Sequence, residues 1–175
     1  MNIIVIAAMS ADGKIAEGPH QNSLDWTSKE DTRFFIDKTK EVGTLVMGQT
    51  TFETIGKALP GRRTVVLSKD AELQPRFAPM DQVPAEGSVE YAMMSVEELV
   101  EGLKRDGVEG LVVAGGSSVY SQFLQAGLVT DLYLTIEPVL FGGGVPLASG
   151  FDRIEMSLVD TTKLNDQAVL LHYQV

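Results

Sequence analysis

Short apolar runs, each followed by a turn and then by a helical pattern, are the feature that most constrains the fold of this chain. Such runs cover residues 3–8, 44–47, 64–67 and 110–114. Their alternation with helical patterns is typical of an α/β fold, in which crossover helices bury both faces of a mostly parallel sheet. We therefore expect a central sheet with helices on either side.

The helical patterns complete this outline. Helices are predicted from about Ser28 to Val42, from Gly48 to about Gly56, from the N-cap Ser95 to about Arg105, and from the Gly115-Gly116 turn to about Gln125. Further strands are predicted over residues 89–93 and 132–139, and residues 155–161 should pair with 168–174 as an antiparallel hairpin. Residues 12–25 and 70–87 are predicted loops. Without a repeat or linker, residues 1–175 are expected to form a single domain.

Composition and charge exclude several classes of protein. The chain has no cysteine, which rules out disulfides and thiol catalysis, and its two isolated histidines predict no metal site. A formal net charge of −10 argues against a nucleic-acid-binding surface. The apolar N-terminus has no basic leader and fits a strand better than a signal peptide. We therefore expect a cytoplasmic protein with no membrane or nucleic-acid partner.

Asp31 is the first candidate functional residue. It lies in the first turn of the predicted helix, with Phe34 and Phe35 three and four residues later, on the same helix face. An acid among aromatic rings is costly to keep ionised, and such a cost often persists for a functional reason. The alternative is structural, because Thr27 followed by Glu30, or Ser28 followed by Asp31, also fits a capping box.

Two strand-to-helix turns are candidate phosphate sites. One is the Gly115-Gly116 turn that follows the run over residues 110–114, and the other is Gly48, followed by Thr50 and Thr51. Glycine allows close approach of a ligand to the backbone, and the amides at a helix start can bind phosphate. Packing and capping are equally compatible with these residues. Two such turns at one edge of a parallel sheet would suit a dinucleotide diphosphate lying between them.

Several motifs occur together along the chain. They are Trp26, Asp31 and Phe35; Met47-Gly48 with Thr51-Phe52-Glu53 and Ile55-Gly56; Leu59-Pro60-Gly61-Arg62; Gly115-Gly116 with Val119-Tyr120; and Leu132-Tyr133-Leu134-Thr135. In this order and spacing the motifs resemble dihydrofolate reductase, over residues 1 to about 147. The resemblance implies a three-layer α/β fold with a mostly parallel central sheet and a C-terminal antiparallel hairpin, as the runs also indicate.

The resemblance also implies a reaction. NADPH would supply a hydride to the imine carbon of the pteridine ring of dihydrofolate, and the adjacent ring nitrogen would gain a proton. Asp31 would bond the 2-amino group and a ring nitrogen and favour the protonated substrate, while Thr135 would steady it. Trp26 would close a mobile loop that begins near Ile15 and folds over the nicotinamide. No metal is required, and a monomer is favoured over a homodimer.

The remaining site residues follow from the same resemblance. The pterin and benzoyl groups would contact Ile6, Ala7, Ala8, Phe35, Ile55 and Leu59, and Arg62 would pair with the glutamate α-carboxylate of the substrate. The cofactor would contact Ala8, Ile15, Gly48, Gln49, Thr50, Thr51, Ser68, Lys69, Ala114, Gly115, Gly116, Ser117, Ser118, Val119 and Tyr120.

Some positions depart from the family pattern. Gln49 and Ser118 stand where basic residues near the cofactor phosphates are common, so recognition of the 2′-phosphate would depend on Lys69 and Arg63. Thr32 replaces an apolar pocket residue, which predicts a more polar benzoyl contact. The loop between Ile15 and Trp26 is a few residues longer than in familiar bacterial members.

Two other functions remain open at this stage. Residues 10–16 and 136–147 are similar to the pyrimidine reductase of riboflavin synthesis, which shares the fold and NADPH but reduces a ribosylamino-pyrimidine phosphate. Asp31 and Arg62 lie where substrate identity is set, and they favour the folate enzyme. A nucleotide-binding protein without catalysis is the other alternative, with Asp31 serving only as a helix cap.

Overall fold

A computed structural model of the chain describes residues 1–69 and 82–175. The loop predicted over residues 70–87 therefore lies mostly outside the described residues. The strands, in chain order, are β1 (Asn2–Ser10), β2 (Lys14–Ala16), β3 (Thr44–Gly48), β4 (Arg63–Leu67), β5 (Ser88–Ala92), β6 (Gly110–Val113), β7 (Asp131–Glu137), β8 (Val145–Pro146), β9 (Ser157–Lys163) and β10 (Val169–Gln174). The helices are α1 (Lys29–Val42), α2 (Gln49–Ile55), α3 (Val96–Arg105) and α4 (Ser117–Gln125), with a 3-10 turn at Ser23–Asp25.

The predicted central sheet is confirmed. In the described ranges its strand order is β5-β4-β3-β6-β1-β7-β10-β9. Neighbouring strands from β5 to β7 pair in parallel. β10 runs antiparallel to both β7 and β9, which forms the predicted C-terminal hairpin. The six parallel strands have their carboxyl ends on one edge of the sheet, where binding sites of open α/β sheets lie.

Both faces of the sheet are buried, which makes the fold three-layered. Successive side chains of β1 alternate between the faces. Ile3 and Val5 join the core under α3 and α4, which contains Leu99 and Phe123. Ile4 and Ile6 join the core under α1 and α2. Each fully buried Val, Leu or Phe side chain contributes roughly 1.5–3 kcal/mol to folding, so the two cores hold the layers together.

Capping residues fix where α1 begins and ends. The side chain of Ser28 accepts a hydrogen bond from the Asp31 amide, and Gly43 ends the helix with a left-handed φ of 82°. Glycine tolerates that conformation without the Cβ clash that other residues meet. These ends match the prediction from Ser28 to Val42.

Short elements were the main omission of the sequence analysis. The loop predicted over residues 12–25 contains β2, which pairs antiparallel with β8. Strands of two or three residues are too short to show hydrophobic periodicity. β7 ends at Glu137, two residues before the predicted end, since Pro138 has no amide hydrogen to extend the ladder. None of the helices in the described part of the chain is long and apolar enough to cross a membrane.

Asp12 joins the turn after β1 to the glycine-rich turn before β8. Its carboxylate accepts hydrogen bonds from the Ser10 hydroxyl at 2.6 Å, the Phe141 amide at 3.1 Å and the Gly142 amide at 2.8 Å. The Ser10 hydroxyl and these amides lower the pKa of Asp12 to about 2. The contacts hold the segments that pair as β2 and β8 against each other.

We expect the Asp12→Asn variant to unfold at a lower temperature than the wild type at neutral pH, because it loses the charged acceptor. A depressed native pKa contributes stability above the unfolded value of 3.8 that is lost as the pH falls towards about 2. The gap between the two thermal midpoints should therefore close over this pH range. The exposed Asp152→Asn change is the matched control. A difference between the Asp12→Asn and wild-type midpoints that does not depend on pH would contradict the lowered pKa of Asp12.

Candidate active site

A cleft of about 1200 Å³ opens at the carboxyl ends of the parallel strands. Its walls include the end of β1, the residues that follow β3, β4 and β6, and one face of α1. The cleft therefore occupies the edge of the sheet where the sequence analysis placed both glycine turns. A concave site of this size accommodates a ligand larger than a single nucleotide.

The cleft brings together most of the residues predicted from the resemblance. Among its lining residues are Ile6, Ala7, Ala8, Ile15, Asp31, Phe35, Gly48, Gln49, Thr50, Thr51, Ile55, Leu59, Arg62, Ser68, Lys69, Ala114, Gly115, Gly116, Ser117, Ser118, Val119 and Tyr120. We call the part lined by the predicted substrate residues the substrate half of the cleft and the part lined by the predicted cofactor residues the cofactor half.

Trp26 and Thr135, predicted to assist catalysis, and Arg63, predicted to contact the 2′-phosphate, do not line the cleft. The Trp26 ring packs edge to face against Phe141, with ring centroids 5.1 Å apart, at the turn that Asp12 holds. Thr135 lies behind Asp31 on β7 and is hydrogen-bonded to its side chain. The roles predicted for Thr135 and Trp26 in the reaction stay predictions.

Asp31 is a buried acid at the cleft wall, with only 8% of its surface exposed. Burial raises the pKa of its carboxyl group above the usual value. The hydrogen bond with Thr135 opposes this rise, and the negative charge of Glu137 adds to it. The protonation state of a carboxyl group whose surroundings favour the proton can respond to the charge of a bound ligand.

The capping interpretation of Asp31 is only half right. Its backbone amide donates to the Ser28 hydroxyl at 3.3 Å, as in a capping box. The amide and the hydroxyl of Ser28, however, both donate to Glu137 Oε1 at 2.7 Å. Glu137 thus accepts the hydrogen bond from the Ser28 amide that the side chain of Asp31 would accept in a capping box. The Asp31 carboxylate is therefore hydrogen-bonded to Thr135 and lines the cleft.

The two glycine turns lie side by side. The Gly48 amide donates to the Gly115 carbonyl at 2.9 Å, and the peptide between Gly115 and Gly116 is cis. A Cβ at Gly116 would lie 3.1 Å from the Thr51 hydroxyl, and one at Gly48 would lie 3.3 Å from a Val119 methyl. Side chains at either turn would crowd the neighbouring one, so these glycines allow the close approach of the two turns.

Tyr120 joins the second turn to β1. Its hydroxyl donates to the Ile6 carbonyl at 2.8 Å, and the side chain is only 4% exposed. Burial raises the pKa of Tyr120 well above the usual value, and the charge of Asp31 raises it further. The neutral phenol therefore serves as a fixed donor beneath the cleft.

Gln49 lines the cleft, whereas Arg63 is buried in the protein interior. Gln49 lines the cleft and accepts from the Ser68 hydroxyl at 2.6 Å, while its amide nitrogen donates to Glu53 at 3.0 Å. Arg63 is fully buried in β4, with its Nε 3.5 Å from a Glu90 oxygen. The expectation that Arg63 contacts a cofactor phosphate is therefore wrong, because the side chain points into the protein. Lys69 remains at the cleft wall.

Arg62 lines the opposite half of the cleft although it is only 3% exposed. Its Nη1 donates to the Thr39 hydroxyl at 2.8 Å and its Nε donates to the Pro60 carbonyl at 3.2 Å. Both acceptors are neutral, and burial lowers the pKa of Arg62. A buried guanidinium held in place at a cleft wall favours an anionic ligand.

Several cleft residues were missed by the sequence analysis. Leu24, Lys57, Met93 and Met94 line the cleft, and nothing in their local pattern distinguishes them from surface residues. Glu137 could have been found, because it is two residues after Thr135 and alternate residues of a strand share a face. Thr32 lines the cleft but donates its hydroxyl to the Ser28 carbonyl at 3.2 Å.

Among residues 1–69 and 82–175, no cluster of three or more histidine and acidic side chains could hold a metal ion.

The sequence matches a known family along most of its length. A family model described as dihydrofolate reductase matches residues 2–165. The chain is also 25% identical over 173 residues to the uncharacterized protein YwjB of Bacillus subtilis, an alignment that covers 97% of this chain and 95% of YwjB.

Solved structures that resemble this fold include the following two proteins. A putative riboflavin biosynthesis protein from Shewanella sp. PV-4 superposes with a TM-score of 0.80 and 22% identity, covering 99% of this chain and 98% of that one. This likeness concerns the fold alone. Dihydrofolate reductase from Enterococcus faecalis, complexed with NADP(H) and RAB-propyl, superposes with a TM-score of 0.69 and 28% identity, covering 99% of this chain and 95% of that one.

The raised pKa of Asp31 makes a prediction about stability. An acid whose native pKa is raised stabilises the fold least at neutral pH, because its ionised form is buried at a cost. We expect Asp31→Asn to unfold at a higher temperature than the wild type at pH 7, and the gap to shrink as the pH falls through the raised native pKa and to close near the unfolded value of 3.8. Asp131→Asn, on the same strand as Thr135, is the control. A lower midpoint for Asp31→Asn at pH 7 would contradict the assignment.

Proposed function

The chain belongs to the dihydrofolate reductase family, and we propose that it reduces 7,8-dihydrofolate to 5,6,7,8-tetrahydrofolate. Family membership makes it an NADPH-dependent oxidoreductase. The observation that carries the substrate assignment is the buried carboxyl group of Asp31, which is held by Thr135 and lines the cleft. A single buried acid at the wall of an apolar cleft suits a flat ring with an amino group beside a ring nitrogen.

The cofactor half of the cleft fits a dinucleotide. Gly48, Gly115 and Gly116 leave only backbone at the two adjoining turns, and Thr51 and Ser117 supply hydroxyl groups there. Backbone amides at helix starts and nearby hydroxyls are suitable partners for a diphosphate. When bound, NADPH supplies the hydride; the residues of this chain orient it and exclude water.

Asp31 would favour protonation of the substrate ring. The imine carbon of the substrate ring receives the hydride, and the neighbouring nitrogen must gain a proton, which comes from solvent because an ionised Asp31 has none to donate. An ionised Asp31 beside the ring accepts hydrogen bonds from the 2-amino group and a ring nitrogen, and its negative charge raises the proton affinity of the substrate. Thr135 orients the carboxylate, and Phe35, Ile55 and Leu59 offer an apolar wall for the rings.

Arg62 supplies the contact with the glutamate tail. Its guanidinium is fixed by Thr39 and Pro60 at the cleft wall, and neither contact neutralises its charge. The planar guanidinium can bond both oxygens of a carboxylate. A folate α-carboxylate placed there would replace solvent around a cation that burial destabilises.

Reduction of a ribosylamino-pyrimidine phosphate is the second candidate function. Lys57 lines the same cleft as Arg62, and two cations can bind a phosphate as well as a carboxylate. Residues 10–16 and 136–147, whose motifs resemble the pyrimidine reductase, pack together through Asp12 and the β2–β8 pair. NADPH oxidation measured with each substrate separates the two candidates, and we expect turnover with dihydrofolate.

Replacing Asp31 by Asn tests the role of the carboxylate. We expect the affinity for NADPH to be unchanged, because the two glycine turns hold the cofactor. Turnover of dihydrofolate at neutral pH should fall by about 100-fold or more, since a general acid–base group contributes roughly 10²–10⁴. Cofactor affinity is measured by fluorescence titration and turnover by NADPH oxidation. Unchanged turnover would remove Asp31 from the mechanism.

Replacing Arg62 by Leu tests the identity of the substrate. The KM for dihydrofolate should rise roughly tenfold or more, because a hydrogen bond to a charged group contributes about 1.5–3 kcal/mol. Dihydropteroate, which lacks the glutamate, is the control substrate, and its KM should stay the same. Equal increases for both substrates would indicate local damage from the lost contacts with Thr39 and Pro60. No change for dihydrofolate would favour the pyrimidine substrate.

A further inference from the structure

Two side chains of β7 reach the start of α1. Thr135 and Glu137 are alternate residues of the strand, so they lie on the same face of the sheet. Thr135 bonds the side chain of Asp31, and Glu137 accepts two hydrogen bonds from Ser28. The first turn of α1 is therefore attached to the strand at two neighbouring points.

Glu137 is buried, with 3% of its surface exposed, and belongs to a different element from the helix it caps. One oxygen of this buried carboxylate accepts both hydrogen bonds from Ser28, as a buried polar group requires. The use of a remote buried acid for this purpose suggests a role beyond holding the helix.

The start of α3 gives an internal comparison. There Ser95 and Glu98 close a capping box within the helix: the Ser95 amide donates to Glu98 at 2.9 Å, and the Glu98 amide donates to Ser95 at 3.2 Å. In α1 the equivalent acid is Asp31, and its own amide makes the same bond to Ser28. The reciprocal bond is missing because Glu137 accepts the Ser28 amide instead.

We propose that Glu137 is a positioning residue for the active site: by accepting the amide and hydroxyl of Ser28, it keeps the Asp31 carboxylate from capping α1 and leaves it available to a ligand in the cleft. The proposal rests on the function proposed above for the use that is made of this carboxylate. The placement of Asp31 itself does not depend on the identity of the substrate.

The charges that face Asp31 allow the proposal to be tested by titration. Glu137 on β7 is the acidic group that acts on Asp31, and Tyr120 on α4 stays neutral while it donates to the Ile6 carbonyl. Thr135 contributes a hydrogen bond without a charge. Removal of the negative charge at Glu137 should therefore lower the pKa of Asp31, with or without ligand.

Two variants separate charge from hydrogen bonding. Glu137→Gln keeps an oxygen that can accept from Ser28 but removes the charge, whereas Glu137→Ala removes both. Asp131→Asn is the matched control, a carboxyl-to-amide change on the same strand, where Asp131 pairs with His172. Each protein is examined by a ¹³C NMR titration of the Asp31 carboxyl group with NADPH bound, and by the pH profile of kcat/KM for dihydrofolate.

For Glu137→Ala we expect kcat/KM to fall by about tenfold or more with unchanged NADPH affinity, because Asp31 turns back to cap Ser28. At acidic pH the kcat/KM of Glu137→Gln should be much closer to the wild-type value than that of Glu137→Ala. Its Asp31 titration and the alkaline limb of its pH profile should both move to lower pH by roughly half a unit or more. Asp131→Asn should match the wild type in both measurements.

Three outcomes would overturn the proposal: wild-type kcat/KM in Glu137→Ala, equal losses in the Ala and Gln variants, or an unshifted Asp31 titration in Glu137→Gln. If Glu137→Ala does not fold, the titration and pH profile of Glu137→Gln decide alone. If the wild type does not reduce dihydrofolate, the proposed function fails, and the NMR titration still tests Glu137 independently.

Discussion

The placement of one buried carboxyl group, that of Asp31, is the constraint on which the site depends. Desolvation penalises its ionised form, and Glu137 adds a second negative charge nearby. Only the Thr135 hydrogen bond favours the ionised form, so the surroundings hold the carboxyl group in a state that a bound ring can change. The geometry at Ser28 explains how this group escapes the more stable role of a helix cap.

The rest of the fold brings the partners of this group together. Parallel strands end at one edge, so β1, β3 and β6 supply the cleft floor and both glycine turns, while α1 supplies Asp31 and Phe35 to the wall. Arg62 follows the turn after α2 and is fixed by Thr39 of α1, which sets its position relative to Asp31 through a single helix. The apolar layers on both faces keep these elements in register.

Much of this arrangement was predictable from the sequence, for reasons that differ between elements. The buried strands were predicted because parallel strands are apolar along their whole length, and α1 because Ser28 and Gly43 mark its ends. The residues lining the cleft followed mainly from the family motifs, whose order survives in the chain. What failed depends on tertiary contact: β2 exists only through its pairing with β8, and Arg63 resembles a surface residue until β5 brings Glu90 beside it. Glu137 escaped notice because its partner, Ser28, lies far away in the sequence.

A crystal structure of the chain with folate and NADP⁺ bound would test the placement of Asp31 most directly. We expect an Asp31 oxygen within about 2.6–3.2 Å of the ring amino group and of a ring nitrogen, with Glu137 still bonded to Ser28. A complex in which the Asp31 side chain bonds the Ser28 amide or faces solvent, while the ring binds elsewhere in the cleft, would contradict it.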